Sequence, residues 1–347
     1  VILAIAVLTA YIPGYTGATI PTGWAVLWLI MPILLLRCKI EPFPVYGWGA
    51  AFLLYAGLSL LWSPHGLLAF MQLCALASVF LWATTLPDLR KVSIGLAIGL
   101  GISGDISLFQ WSGFQSIFRV TDFPSGLFVN SNVFAEVSAM ILVLLLVNRL
   151  WWWIPVTAPG LVIGSRASLV ALLCVFLAWV WSKSKITAAI LIATLGAVTA
   201  YSVTTFNNKS INERWGMWAD TWNGVTLWGH GIGSFEYLYP YYANHMDTVR
   251  VRPVSAHNDL LQLLFEVGIG IVPLLVALWY LARIKDNHRY VLLCFGIIGL
   301  FGFPLHIPAS AFIAACCAGH LVYRQREFWA ASGYRGSAIS LGMAIPS

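Results

Sequence analysis

Twelve apolar runs, most of them free of charge, occupy the chain almost from end to end. They cover residues 1–12, 23–36, 46–62, 67–84, 92–109, 133–147, 151–163, 167–181, 186–203, 257–281, 290–304 and 307–323. Crossing a bilayer takes about 20 helical residues. Several runs are shorter, and their interfacial flanks are expected to extend them. A soluble domain carries charge on about a quarter of its residues. Here only 9% of the 347 residues are charged and 60% are hydrophobic, too little charge to cover a globular surface. A soluble enzyme, a disordered chain and a disulfide scaffold are thereby excluded. In lipid, backbone groups must bond within their own segment, which favours helices. The expected fold is an all-α polytopic membrane protein, with 17 Trp available to anchor helix ends at the interfaces.

Charge orders the runs. With the N-terminus in the cytoplasm, the loops after even-numbered runs and the C-terminus hold thirteen of the 19 Lys and Arg residues. The odd-numbered, outer loops hold Arg119, Arg166, Lys209, Arg214, Arg250 and Arg252. That bias has the direction of the positive-inside rule. Merging two runs breaks the alternation. The expectation is therefore about 12 transmembrane helices with both ends inside, forming one membrane-embedded domain over 1–347. The run 151–163, with Pro155 and Pro159, is the weakest, and ten or eleven spans follow if it fails. The first run opens at Val1, either as a short span or as one whose beginning is missing. The net charge of +6 comes without a basic, aromatic-interleaved stripe, so no nucleic-acid partner is expected. The six Cys lack ligand or pairing patterns and read as small core residues.

Four of the six outer basic residues fall in one segment, 204–256, far longer than any other loop. Loops beyond about 12–15 residues are usually functional or disordered, and this one is too aromatic to be disordered. Ile211, Trp215, Trp218, Trp222 and Val225 recur at helical spacing. They predict a short amphipathic helix lying on the membrane surface. Gly229, Gly231 and Gly233 then predict a tight turn.

The chemistry-bearing residues collect on that same side. His257 follows Ser255, a candidate N-cap, which puts it in a first helical turn at the outer boundary. A neutral imidazole there can take a proton from a hydroxyl; the alternative is an interfacial histidine with a hydrogen bond and no task. Asp259, Gln262 and Glu266 share one helical face. Glu266 points away from His257, so it is not expected to be its direct partner; a carboxylate inside a span either marks a pathway or makes a helix-to-helix hydrogen bond that fixes packing. Arg166, Arg214, Arg250 and Arg252 come from separate outer segments, and arginine grips phosphate oxygens through paired hydrogen bonds. They point to an anionic substrate, against the alternative of snorkelling to headgroups. Asp105, Asn130, Asn132 and Glu136 could line a cavity, although each alone reads as structural.

His257-Asn258-Asp259-Leu260-Leu261-Gln262, followed by Glu266-Val267-Gly268, resembles a stretch of the bacterial O-antigen ligase and O-antigen polymerase superfamily. Gly229-His230-Gly231-Ile232-Gly233-Ser234-Phe235 is similar to the glycine-rich turn in the large periplasmic loop of those proteins. Gly164-Ser165-Arg166-Ala167-Ser168, the Gly126…Asn130-Ser131-Asn132 loop and Phe303-Pro304-Leu305-His306 resemble further family stretches, in family order over about 120–320. The resemblance implies a lipid-linked oligosaccharide transferase of the bacterial inner membrane, with 204–256 as its periplasmic loop. Its donor would be an undecaprenyl-diphosphate-linked glycan. Its acceptor would be a hydroxyl of another glycan, of the lipid A core or of a protein. Membrane lipids surround it, and no cofactor or metal is implied. His257 then becomes the candidate base or acceptor-positioning group, and Arg166 and Arg214 the diphosphate clamps. Arg250 and Arg252 are further clamp candidates, and Asn258, Glu266 and Asn132 support the site. The rival class is a transporter or flippase of the same anionic lipid, which intramembrane Asp105 and Glu266 would suit. The chain shows no matched pair of broken helices of the kind inverted-repeat transporters carry.

Overall fold

The computed structural model describes residues 1–9, 19–36, 38, 43–112, 124–128, 130–163, 165–189, 209–245 and 253–331. Regular structure among them is helical throughout. The helices used below are α1 (Ile2–Thr9), α2 (Thr19–Leu36), α3 (Pro44–Leu58), α4 (Leu67–Ala83), α5 (Arg90–Trp111), α6 (Ser131–Val147) and α7 (Ala158–Ile163). They continue as α8 (Arg166–Lys183), α9 (Lys209–Asn223), α10 (Phe235–Leu238), α11 (Asp259–Val267), α12 (Val272–Ala282), α13 (Arg289–Gly299) and α14 (Pro308–Ala331).

Among the described residues, four helical stretches are long and apolar enough to cross a membrane: Pro44–Leu61, Arg90–Trp111, Arg166–Lys183 and Asp259–Ala282. Gly23–Leu36, Leu67–Ala83, Ser131–Val147, Trp151–Ile163 and Arg289–Gly299 are shorter apolar helices. The weakest run, 151–163, is a 3-10 helix over Trp151–Thr157 that continues into α7. Pro155 explains its first half, since it has no N–H to give an α-helical ladder. Most of the ninth run, 186–203, lies outside the described residues. The outside of the helices stays apolar, with Leu29, Leu54, Phe109, Leu169 and Phe176 exposed. Exposed apolar surface on this scale is what a lipid-facing wall requires.

The innermost helix is α6. Asn130 caps it, its Oδ1 accepting from Val133 N at 2.9 Å. Phe134, Met140, Ile141 and Leu144 of α6 are buried with Leu96 and Leu100 of α5 and Phe312 of α14. α5, α7, α8, α13 and α14 all pack on it. The run 257–281 is not one rod: α11 ends at Gly268, φ +51°, a 3-10 turn follows, and α12 resumes at Val272. The break is where residues 227–231 dock. Ile269 N donates to Leu227 O at 2.8 Å, His230 N to Phe265 O at 3.1 Å, and Gly231 N to Glu266 O at 2.7 Å.

The glycine turn has a steric reason. Gly229, Gly231 and Gly233 all have positive φ, at +70°, +93° and +72°. A Cβ on Gly231 would overlap the backbone of Ser63, and one on Gly229 the backbone at Glu266. Side-chain bonds complete the docking. Ile232 N donates to Ser59 Oγ at 3.0 Å, and Ser63 Oγ to Ile232 O at 2.7 Å.

Hydrogen bonds and ring contacts also join loops and helix ends to one another. His65 stacks near Tyr237, and Leu305 N donates to Asp259 Oδ2. Ser63 and His65 thus tie the turn after α3 to residues 232–237, and Asp259 ties α11 to the turn after α13. Elsewhere, His320 Nδ1 meets Leu86 O at 3.0 Å, Asn148 Nδ2 donates to Ser93 Oγ, and Arg324 Nε lies 3.4 Å from Asp286 Oδ2.

Candidate functional site

His257 is held from both sides. Ala256 N donates to Gln262 Oε1 at 3.0 Å, and Trp218 Nε1 of α9 donates to Ala256 O at 2.9 Å. One residue further on, Asn258 caps α11, its Oδ1 accepting from Leu261 N at 3.0 Å. The cap is therefore Asn258 rather than Ser255, and His257 stands just before the helix instead of in its first turn. The physical reason is that Asn258, with φ −159° and ψ 101°, is the last extended residue and reaches N3 with its own side chain. Squeezed between the clamp and the cap, His257 takes φ +51°, a left-handed value that a side chain bearing Cβ adopts at a cost.

The opposite wall comes from residues 301–306. Asp259 Oδ2 accepts from Leu305 N at 2.8 Å and so fixes the turn that follows α13. Phe303 then meets the His257 ring edge to face, centroids 5.1 Å apart. Arg214 of α9 donates from Nη1 to Phe301 O at 2.8 Å, and Trp218, one turn on, lies against the Phe301 ring. Helix α6 supplies the floor with Asn132 and, one turn later, Glu136. One small cleft, with a cavity volume of about 30 Å³, is lined by Asn130, Asn132, Glu136, Arg214, His257 and the Phe301–Phe303 turn.

Among the described residues the ring nitrogens of His257 have no hydrogen-bond partner. Burial, and then the nearby Arg214 guanidinium, push its pKa down to about 4. The imidazole is thus neutral at ordinary pH, able to donate with one nitrogen and accept with the other.

The remaining sequence candidates divide. Arg166 opens α8, is exposed, and does not line the cleft, although its neighbour Ser165 reaches Glu136 Oε1 at 3.5 Å. Arg250 and Arg252 lie outside the described residues. Asn258 is occupied as a cap. Glu266 is buried and fully engaged: Oε2 accepts from Gly233 N at 2.8 Å, and Oε1 from Gln262 Nε2 at 3.0 Å. It ties the glycine turn to α11, instead of bonding one helix to another as the sequence led us to expect. Asp105 is exposed on α5, away from the cleft.

Two groups escaped the sequence reading. Gln110 fixes the approach to α6, its Oε1 accepting from Ser125 N and Gly126 N. Asp220, fully buried on α9, accepts from His245 N at 3.0 Å, meets His245 Nδ1 at 2.5 Å and accepts from Tyr239 OH at 3.4 Å. A buried carboxylate needs such partners, but Asp220 and His245 are too far apart in sequence for spacing to show the pair. Among the described residues no three His, Cys, Asp or Glu side chains come together to hold a metal ion. In comparison with known proteins, no family model and no curated protein matches the chain.

Proposed function

We propose that the chain is a glycosyltransferase of the bacterial inner membrane, acting at its periplasmic face. It would move a glycan from an undecaprenyl-diphosphate carrier to an acceptor hydroxyl, in the manner of an O-antigen ligase or polymerase. In this reading all twelve apolar runs span the membrane and 204–256 is the periplasmic loop. The observation that carries it is the meeting of Arg214, His257 and Asn132 in one cleft, from three segments far apart in sequence. A cation beside a neutral imidazole suits a reaction that expels an anionic diphosphate and activates a hydroxyl. The resemblance of the stretches around Asn132, Arg166, Gly229–Phe235 and His257 to one superfamily supports the same chemistry.

Within the proposal, Arg214 binds a diphosphate oxygen from inside the cleft. Arg166 approaches from the exposed edge, and Arg250 and Arg252 are reserved for the carrier. His257 holds the acceptor hydroxyl.

The test is reconstitution of the full chain in detergent with a lipid-linked glycan and a hydroxyl acceptor. Product formation without a sealed bilayer is expected and is incompatible with pure transport. Arg214→Lys should weaken donor binding and turnover together, since a point charge does not reproduce paired hydrogen bonds. A variant that binds and reacts like wild type removes Arg214 from the site.

A further inference from the structure

We propose that Glu136 is the group that accepts the proton of the attacking hydroxyl, while His257 orients that hydroxyl. The assignment rests on the glycosyl-transfer reading above. Three carboxylates are buried around the cleft and beneath it: Glu136, Asp259 and Glu266. Glu266 has both oxygens bonded; Asp259 spends Oδ2 on Leu305 N, and its other oxygen, buried without a hydrogen bond 3.8 Å from His306 Nε2, does not reach the cleft. Only Glu136 lines the cleft that His257 and Arg214 share.

Its engagement elsewhere is weak. The contact from Ser165 Oγ is 3.5 Å, at the outer limit for a hydrogen bond. Gly302 lets the turn after α13 pass close to the buried carboxylate: a Cβ there would stand 3.2 Å from Oε1 and 3.3 Å from Oε2. A carboxylate held in an apolar helix without strong partners is costly and by default marks a functional position. The charged and titratable groups around it are Arg214 and His257 across the cleft, Asp259 on α11 and Cys294 on α13.

His257 is badly placed for the same task. Burial and the Arg214 charge both oppose an imidazolium there. A proton received by Glu136 forms a neutral acid instead, with no new charge beside Arg214. The step balances as follows. The acceptor oxygen attacks the anomeric carbon of the donor glycan and a C–O bond forms. The bond from that carbon to the diphosphate oxygen breaks, its electron pair leaving with the carrier diphosphate. The hydroxyl proton passes to a Glu136 oxygen. Arg214 faces the charge that accumulates on the leaving group.

The experiment uses the purified full chain with an undecaprenyl-diphosphate-linked glycan. Glu136→Gln, Glu136→Ala and His257→Gln are measured for donor binding and for transfer. Glu136→Gln should bind donor within about twofold of wild type and lose roughly 10²–10⁴ in transfer rate, the usual range for a missing general base. Added formate should restore transfer to Glu136→Ala in a concentration-dependent way and leave Glu136→Gln and His257→Gln unchanged. Transfer by Glu136→Gln within about threefold of wild type overturns the assignment. So does loss of donor binding along with transfer, which marks a structural role. If Glu136→Ala does not stay monodisperse, Glu136→Gln decides alone. Failure of the wild-type chain itself to make product overturns the glycosyl-transfer reading, a result distinct from an active wild type with an active Glu136→Gln.

Discussion

Replacing His257 by Gln removes a titratable group from a place that resists protonation. Its pKa falls from 6.5 to about 4, first through burial and then through Arg214. The unfolded chain binds a proton at this residue below pH 6.5, whereas the folded chain does so only near pH 4. Stability therefore falls as pH drops through that window, and no penalty exists above it. Each pKa unit corresponds to about 1.4 kcal/mol, so the penalty grows to about 3 kcal/mol at pH 4 and is about 1.4 kcal/mol at pH 5.5. Other groups titrate over the same range, so the useful quantity is the difference between wild type and His257→Gln. Thermal unfolding of both in detergent from pH 7.5 to 4.5 measures it. Wild type should lose roughly 5 °C more than the variant over that interval, taking about 2 °C per kcal/mol for a chain of this size. Two curves that stay parallel with pH would refute the claim that Arg214 and burial hold this imidazole neutral.

Three further outcomes are expected. Gly231→Ala should destabilise the protein by about 2 kcal/mol or more in the same unfolding assay, because φ +93° and contact with the Ser63 backbone leave no room for Cβ; a change under a few tenths would dissociate the turn from Ser63. Burial raises the Asp286 pKa, but hydrogen bonds from the His288 side chain and backbone outweigh it and hold it near 2. Asp286→Asn should then cost about 2 kcal/mol at pH 7 and little at pH 2, since this stabilisation exists above pH 3.8 and is lost as pH falls toward 2; a pH-independent cost would contradict it. In a cysteine-free background, a Cys at the exposed Tyr241 should label from outside the cell with an impermeant reagent, and one at Lys285 only after permeabilisation; the reverse pattern would invert the proposed topology.

Helix positions were legible for some runs and not for others: the run 307–323 stops eight residues short of the end of α14 at Ala331. The runs 67–84, 92–109 and 133–147 fall on α4, α5 and α6 to within two residues. The break at Gly268 was not, because 257–281 is apolar on both sides of it. Its cause is the Leu227–Gly231 strand of backbone bonded alongside, a contact between distant segments. The cap of α11 misled for a local reason: Ser255 and Asn258 both satisfy cap chemistry, and only the Trp218 and Gln262 bonds to Ala256 exclude the earlier start. Glu136 and Glu266 look alike in sequence, each an acid inside an apolar run. Tertiary contacts distinguish them, since one has two hydrogen-bonded oxygens and the other opens into a cleft.

That distinction bears on how the site is kept rigid. In a chain with so few charges, every buried polar group must find a partner or remain costly. Around the cleft the partners form a continuous frame: Glu266 to Gly233, Gln262 to both Glu266 and Ala256, Asp259 to Leu305, and Arg214 to Phe301. These bonds fix α9, the glycine turn, α11 and the turn after α13 relative to one another, and His257 is left strained at their junction. Removing Glu266 should therefore move His257 without touching it, through Gln262 and Ala256. The two carboxylates then predict opposite phenotypes. Glu266→Gln should lower thermal stability and weaken donor binding and transfer together, because the frame loosens. Glu136→Gln should leave both stability and donor binding near wild type and remove transfer alone. If Glu266→Gln reproduced that selective loss, the bonded carboxylate would be the chemical one, and the division between frame and reacting group drawn from these hydrogen bonds would be wrong.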